Sequence, residues 1–98
     1  MSYILSLSMF PVDKGESLSG YVSKVSKIID DSGLNYVITP MATIIESENI
    51  DSLLSIARKG FEVLEENSNR VYANIAIDYR KSGLGRLEQK VKSLKSKI

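Results

Sequence analysis

The sequence predicts an α+β fold in which an antiparallel sheet carries its helices on one face. Residues 3–10 and 71–79 alternate between apolar and other side chains, as strands do, and they stand on either side of two amphipathic helical patterns. Residues 35–48 lie between these helices and have no helical period. The order is therefore strand, helix, strand, strand, helix, strand, which is the split β-α-β arrangement.

The first strand and the first helix each have one apolar face. On the strand this face carries Tyr3, Leu5, Leu7 and Met9, and Pro11 ends the strand. Ser17 is predicted to cap the helix, and Gly33 is predicted to end it in the left-handed conformation. The helical stripe consists of Leu18, Tyr21, Val22, Val25, Ile28 and Ile29.

The segment 35–48 is too long for one ordinary strand and carries Pro40 near its middle. It therefore predicts two short strands that meet at a bend around residues 39–41. Tyr36 and Ile38 share one face of the first of these strands. The sequence leaves two registers open for the second strand. The helices are faced either by Thr43 and Ile45 or by Ala42, Ile44 and Glu46.

The second helix is predicted to begin after Asn49, whose side chain suits an N-cap, and the last strand follows it. A third helix is predicted from about residue 84 to the end of the chain. Its narrow apolar seam could dock on its own sheet or on the sheet of another copy. The stripe of the second helix is Ile50, Leu53, Leu54, Ala57, Phe61 and Leu64, and the seam of the third is Leu84, Leu87, Val91, Leu94 and Ile98.

Two helices cover only one face of a four-stranded sheet, and the opposite face has a mixed character. We expect that face to pack against another subunit or to hold a ligand, with an ordinary solvated strand surface as the alternative. The sequence therefore predicts a homodimer or a homotetramer. The residues of the mixed face include Ile4, Ser6, Ser8, Phe10, Tyr72, Asn74, Ala76 and Asp78.

The composition excludes several kinds of chemistry. The chain of 98 residues is predicted to form a single domain, residues 1–98, and it contains no cysteine and no histidine. Disulfides, thiolate catalysis, a zinc site built on these residues and a histidine base are therefore excluded, and we predict no metal and no cofactor. The net charge of +1 predicts no nucleic-acid partner. No apolar run approaches the roughly 20 residues of a membrane span, so no membrane partner and a cytoplasmic location are predicted.

Three groups of polar or aromatic residues are candidates for binding. Asp78 and Arg80 lie on the same side of the last strand and suit a small ionic ligand, with an exposed ion pair as the alternative. Glu46 and Glu48 could serve acid–base chemistry or a hard cation, with a charged strand end as the alternative. Tyr72 on the mixed face could stack on a flat ring.

The sequence resembles the thiamine-binding, YkoF-like family of small proteins, long described as conserved proteins of unknown function. The resemblance spans nearly the whole chain. Its landmarks are Pro11, then Ser17-Leu18-Ser19-Gly20-Tyr21-Val22, then Tyr36 with Met41-Ala42-Thr43-Ile44-Ile45-Glu46, then Arg70-Val71-Tyr72 and Ile77-Asp78-Tyr79-Arg80.

This resemblance implies a ferredoxin-like βαββαβ sandwich with an extra C-terminal helix, assembled as a dimer or a dimer of dimers. It also implies binding of thiamine or of its hydroxymethylpyrimidine moiety, without catalysis. The alternative is a regulatory or scaffold oligomerisation module with another small-molecule effector or none. An enzyme that uses Glu46 or Asp78 as a base is a further alternative.

The resemblance also implies a ligand-binding set drawn from the matching segments. Ser19, Thr43 and Glu46 are predicted to meet the pyrimidine, because hydroxyl and carboxylate groups complement its amino group and ring nitrogens. Asp78 is predicted to balance the cationic thiazolium, and Arg80 to take a phosphate if the ligand carries one. Tyr72 is added to this set because its position on the mixed face makes it the stacking candidate.

Overall fold

The structure, a computed structural model, describes residues 1–15 and 18–98. Four strands form one antiparallel sheet in the order β2-β3-β1-β4. This confirms the predicted fold class and the additional C-terminal helix. The elements are β1 (Ser2–Pro11), α1 (Ser19–Asp31), β2 (Asn35–Ile38), β3 (Thr43–Ser47), α2 (Ile50–Glu65), β4 (Val71–Arg80) and α3 (Arg86–Lys97).

The core lies between the sheet and the pair of helices α1 and α2. It is built from the predicted faces, because alternate residues of β1 and the stripe of each helix point toward one another. Burying these side chains supplies most of the favourable free energy of folding. The buried members are Leu5, Leu7, Met9, Val25, Ile29, Ile45, Leu53, Ile56 and Leu64.

The stripe of α2 differs from the prediction at its two edges. Leu54 is 45% exposed, whereas Ile56, which the sequence pattern had not included, is buried. The helix is rotated so that residues 53, 56, 57, 60 and 64 meet the sheet. Gly60 permits this close approach, since a Cβ atom there would lie 2.8 Å from Sδ of Met9. The helical period of apolar residues in a sequence locates the centre of the buried stripe more accurately than the residues at its edges.

The predicted helix ends can be compared with the described residues. The cap predicted at Ser17 lies outside these residues, and α1 follows Leu18 without a side-chain cap. At the other end of α1, Gly33 has the left-handed φ of 75° that was predicted. Asn49 caps α2 as predicted, because its Oδ1 accepts a hydrogen bond of 2.8 Å from the amide of Asp51.

The structure resolves the open register of β3 and the bend before it. Leu5 pairs with Ile45 and Leu7 pairs with Thr43, so Thr43 and Ile45 face α1 and α2. Thr39 closes the bend. Its hydroxyl donates to the carbonyl of Ala42 at 2.7 Å and accepts hydrogen bonds from the amides of residues 41 and 42.

Among the described residues of helix α3, those buried on the mixed face of the sheet lie in its first turn. Arg86 and Leu87 are buried there, whereas Val91 and Leu94 are 50% and 64% exposed. The helix begins at Arg86 because Gly85 takes a left-handed φ of 95°. Most of the predicted apolar seam therefore does not pack on the chain's own sheet. No helix within residues 1–15 and 18–98 is long and apolar enough to cross a bilayer.

Candidate ligand-binding site

A cleft of about 190 Å³ lies where α1 passes the turn between β2 and β3. Its floor is part of the core, since it includes Leu7 and Met9 of β1 together with Val25 and Ile29 of α1. The turn at residues 38–43 forms the opposite wall. The site therefore combines a rigid apolar floor with a wall of exposed turn backbone.

The polar side chains that line this cleft all carry hydroxyls. Thr39 uses its hydroxyl to close the turn, as described above. Ser26 on α1 and Thr43 on β3 also line the cleft, and the structure records no hydrogen bond from either hydroxyl to a described residue. A hydroxyl donates one hydrogen bond and accepts others, so these two groups can serve either an amino group or a ring nitrogen.

The structure divides the six predicted binding residues among three places. Thr43 lines the cleft, and Ser19 is the first residue of α1, one turn before the cleft residue Val22. Tyr72 lies at the Pro11 end of β1, with its ring centroid 5.7 Å from that of Phe10. The remaining residues, Glu46, Asp78 and Arg80, lie around the start of α3.

Glu46 caps the N-terminus of α3. Only 3% of this residue is exposed, and its carboxylate accepts hydrogen bonds from the amides of Gly85 and Arg86 at 3.1 and 3.2 Å. The hydroxyl of Ser2 donates a third hydrogen bond, of 2.5 Å. A carboxylate at this position satisfies unpaired amides of the first turn and interacts favourably with the positive end of the helix dipole.

Arg86 connects the same turn to the central strand β1 and to the edge strand β4. Its Nε donates to Oγ of Ser2 at 3.2 Å, and its Nη1 donates to Oδ2 of Asp78 at 2.9 Å. Its Nη2 donates to the carbonyl oxygens of Ser2 and Asp78 at 2.9 and 3.0 Å. We call Ser2, Glu46, Asp78 and Arg86 the α3 anchor.

Sequence reasoning missed the α3 anchor. It considered Asp78 beside Arg80 and did not single out Arg86, whereas the structure pairs Asp78 with Arg86. The available signal was Gly83-Leu84-Gly85, since glycines permit the sharp reversal that brings the helix start onto the sheet. Arg80 borders a separate cleft with Gln89 and Ser93.

The environment of Glu46 lowers its pKa. Burial by itself raises the pKa, but the hydrogen bonds from Ser2, Arg86 and Gly85 and the charge of Arg86 outweigh burial. Together they hold the pKa of Glu46 below the ordinary value of 4.5. A carboxylate with a depressed pKa in the folded state stabilises the fold above its unfolded pKa, and this contribution is lost as the pH falls through the folded pKa.

Glu46→Gln is therefore expected to reduce the free energy of unfolding at neutral pH and to flatten its decline below pH 4.5. Urea unfolding over a series of pH values measures both effects. Glu48→Gln is the matched control, because Glu48 is exposed and lies two positions further along the chain. A Glu46→Gln variant with the same acid slope as the wild type would show that the α3 anchor does not depend on this charge.

The described residues, which omit 16 and 17, contain no group of three or more side chains of the metal-binding types close enough to hold an ion. The cleft between α1 and the β2–β3 turn and the α3 anchor are thus built from hydroxyl, amide, carboxylate and guanidinium groups. The carboxylate of Glu46, considered above as a cation ligand or a base, is occupied by its three hydrogen bonds.

Element order and sheet order together define a ferredoxin-like α+β protein. The chain belongs to the thiamine-binding protein family, whose sequence profile matches residues 5–95. This is a family of binding proteins, and membership gives the chain a small-molecule-binding role. UPF0045 proteins of Methanothermobacter thermautotrophicus and Clostridium perfringens are each 36% identical to it, over 83 and 81 residues. These matches cover 84% and 82% of this chain and 84% of each relative.

Solved structures show the same fold. A hypothetical protein from Methanocaldococcus jannaschii superposes with a TM-score of 0.86 at 26% identity, covering 95% of both chains. A Thermotoga maritima protein, described as a proposed thiamine biosynthesis/salvage protein, superposes with a TM-score of 0.80 at 20% identity. That match covers 95% of this chain and 99% of the other.

Proposed function

We propose that this protein binds thiamine or its hydroxymethylpyrimidine moiety without transforming it, and that the pyrimidine ring occupies the cleft between α1 and the β2–β3 turn. Membership of the thiamine-binding family supports the class of ligand. The name of the similar Thermotoga maritima protein points to the same metabolite. The chemistry of the cleft supports the choice of the pyrimidine half.

The observation that carries this proposal is the absence of charge in the cleft. None of the described residues that line it has an ionisable side chain. A neutral aromatic ring suits such a site, whereas a cationic thiazolium would lose its hydration without gaining a counter-charge. The lining also offers no group able to act as a general acid or base, which favours binding over catalysis.

The size of the cleft also favours the pyrimidine ring over the whole thiamine molecule. Sites for drug-sized ligands usually enclose roughly 300–1,000 Å³, and this cleft encloses about 190 Å³. One six-membered ring fits in that space, and the thiazolium with its hydroxyethyl group would lie outside, toward the exposed side chain of Met41. The apolar floor would cover one side of the ring, and the hydroxyls of Ser26 and Thr43 would bind its edge.

Of the six residues predicted from the sequence, we therefore propose Thr43 as a direct contact and Ser19 as a residue at the mouth of the cleft. Glu46 and Asp78 are assigned to the α3 anchor. A ligand that reached them would have to displace the first turn of α3. We further propose that the protein acts as a cytoplasmic homo-oligomer.

Calorimetric titration of the purified protein with three ligands tests this function. Thiamine and hydroxymethylpyrimidine are expected to bind with similar affinity, because both present the ring that enters the cleft. The thiazole alcohol alone is expected to give no binding heat. Binding of the thiazole alcohol would contradict the proposal. So would the absence of binding heat with both pyrimidine ligands at millimolar concentration.

A further inference from the structure

A second cleft, of about 390 Å³, lies between the C-terminal turn of α1 and the N-terminal part of α2. Its floor is apolar, because Ile28 and Leu34 pack against the core and Ile56 is 3% exposed. The volume falls within the roughly 300–1,000 Å³ that ligand sites usually enclose. We call this space the α1–α2 cleft. None of its described lining residues lines the cleft proposed for the pyrimidine ring.

One wall of the α1–α2 cleft is a polar stripe on α2. Ser52, Ser55 and Lys59 follow one another at spacings of three and four, so they lie on one face of the helix. Other helical serines, such as Ser23 and Ser96, donate to the backbone carbonyl three residues earlier. The structure records no hydrogen bond from the hydroxyl of Ser52 or Ser55 to a described residue. These two half-buried hydroxyls are therefore available to a ligand in the cleft.

The two walls of the α1–α2 cleft carry opposite charges that are not paired with each other. Asp31 lies on the α1 wall and Lys59 on the α2 wall, and no ion pair joins Lys59 to a described residue. Asp31 pairs instead with Lys27 at 3.5 Å, and the two side chains of that pair are 63% and 77% exposed. An exposed ion pair of this kind contributes little to stability. The carboxylate of Asp31 can therefore exchange Lys27 for a positive group of a ligand at little cost.

The end of α1 adds a second preference for a positive group on this wall. The last turn of this helix, all of whose residues the structure describes, contains no basic side chain. Backbone carbonyls at a helix C-terminus carry partial negative charge, which attracts cations near the last turn. The α1 wall therefore suits an ammonium group. The α2 wall suits a carboxylate, because Lys59 and the two serine hydroxyls can all donate hydrogen bonds to it.

We propose that the α1–α2 cleft binds a free α-amino acid with an aliphatic side chain. The ammonium group lies against Asp31 and the end of α1, and the carboxylate lies against Lys59 and the serine hydroxyls. The side chain covers the apolar floor, which removes apolar surface from water. A simple anion or a simple cation would meet one wall of its own charge, whereas a zwitterion complements both walls. This site goes beyond the function proposed above and does not depend on it.

Amide chemical shifts followed during titration with L-leucine and two analogues test the need for both charges. L-Leucine is expected to bind with a dissociation constant of about 0.1–1 mM, as the few contacts of so small a ligand imply. Leucinamide lacks the carboxylate and 4-methylpentanoate lacks the ammonium group, so each is expected to bind roughly tenfold more weakly. An analogue that bound as tightly as L-leucine would overturn the proposal. A spectrum that L-leucine leaves unaltered at tens of millimolar would overturn it too.

The same titration with two lysine variants locates the carboxylate. Lys59→Met is expected to bind L-leucine roughly tenfold more weakly and to bind leucinamide about as well as the wild type does, because only the carboxylate contact is lost. Lys81→Met is the matched control, since Lys81 is exposed and lies outside the cleft, and it should bind both like the wild type. The shifted amides should lie in residues 31–34 and 52–59. Shifts concentrated elsewhere, or a Lys59→Met variant that binds L-leucine normally, would overturn the proposal whether or not thiamine binds.

Discussion

Replacing Arg86 by methionine is expected to lower the free energy of unfolding by about 1–3 kcal/mol, the usual cost of leaving buried hydrogen-bonding groups without their partner, because the carboxylate that pairs with Arg86, that of Asp78, is itself 54% exposed. Methionine keeps the length of the apolar stem but removes every guanidinium N–H. Four hydrogen bonds are lost, two of them to the backbone carbonyls of Ser2 and Asp78. Glu46 then remains buried without the nearby positive charge.

The same substitution is expected to detach α3 while the core stays folded, because the buried residues among those described in α3, Arg86 and Leu87, both lie in its first turn. Urea unfolding measures the loss of stability, and protease cleavage after residue 85 measures the detachment. Arg58→Met is the matched control, since Arg58 pairs with Glu62 at 3.8 Å on the exposed side of α2. An exposed pair of this kind contributes about 0–1 kcal/mol. Equal effects of the two substitutions would contradict the role of Arg86 in the α3 anchor.

Replacing Ser26 by tryptophan is expected to abolish binding of thiamine and of hydroxymethylpyrimidine. Ser26 is half-buried on the side of α1 that lines the cleft, so an indole there fills the space proposed for the pyrimidine ring. Stability should change little, because an apolar side chain entering an apolar cleft covers surface that the wild type leaves open. Calorimetric titration measures the loss of binding, and urea unfolding confirms that the fold persists.

Two further variants test whether the loss of binding is specific to the cleft that Ser26 lines. Ser52→Trp changes the same residue type in a different cleft, between α1 and α2, and is expected to bind both ligands like the wild type. Thr43→Val keeps the shape of the side chain but removes one hydroxyl, and is expected to weaken binding roughly 3- to 10-fold, as the loss of a neutral hydrogen bond would. If Ser26→Trp bound thiamine normally, the ligand would have to lie elsewhere.

The fold could be predicted from the sequence because its local signals agree with one another. The period of two in β1 and β4 and the helical period in α1 and α2 indicate the same buried core. Gly33 and Asn49 mark helix boundaries by local chemistry, and both behave as predicted. The edges of the α2 stripe are where this reasoning failed, since Leu54 and Ile56 both lie near an edge of the stripe.

The α3 anchor could not be predicted, because no local pattern contains it. Ser2 and Arg86 are 84 positions apart, and Glu46 is 40 positions from Arg86. Only the assembled sheet brings them together. Sequence reasoning regarded Glu46 and Asp78 as available carboxylates, since a strand pattern shows which residues share a face but not which helix will cover them.

Only part of the cleft could be predicted, because its lining residues are also brought together by the assembled fold. Thr43 and Ser19 came from family resemblance, and the structure places Thr43 in the cleft lining. Ser26 was not singled out, because a serine between apolar helical positions gives no signal until the β2–β3 turn is seen opposite it. The lining comes from three separate segments, of β1, of α1 and of the turn.

Amide chemical-shift mapping during titration with thiamine tests the central claim most directly, because it locates the ligand without any substitution. We expect the largest shifts in the α1 segment 22–29 and in the turn 38–43, with the amides around Arg86 unchanged. Shifts concentrated instead on Glu46, Asp78 and Arg80 would contradict the account by moving the ligand to the start of α3. A spectrum that thiamine leaves unaltered would contradict the binding function itself.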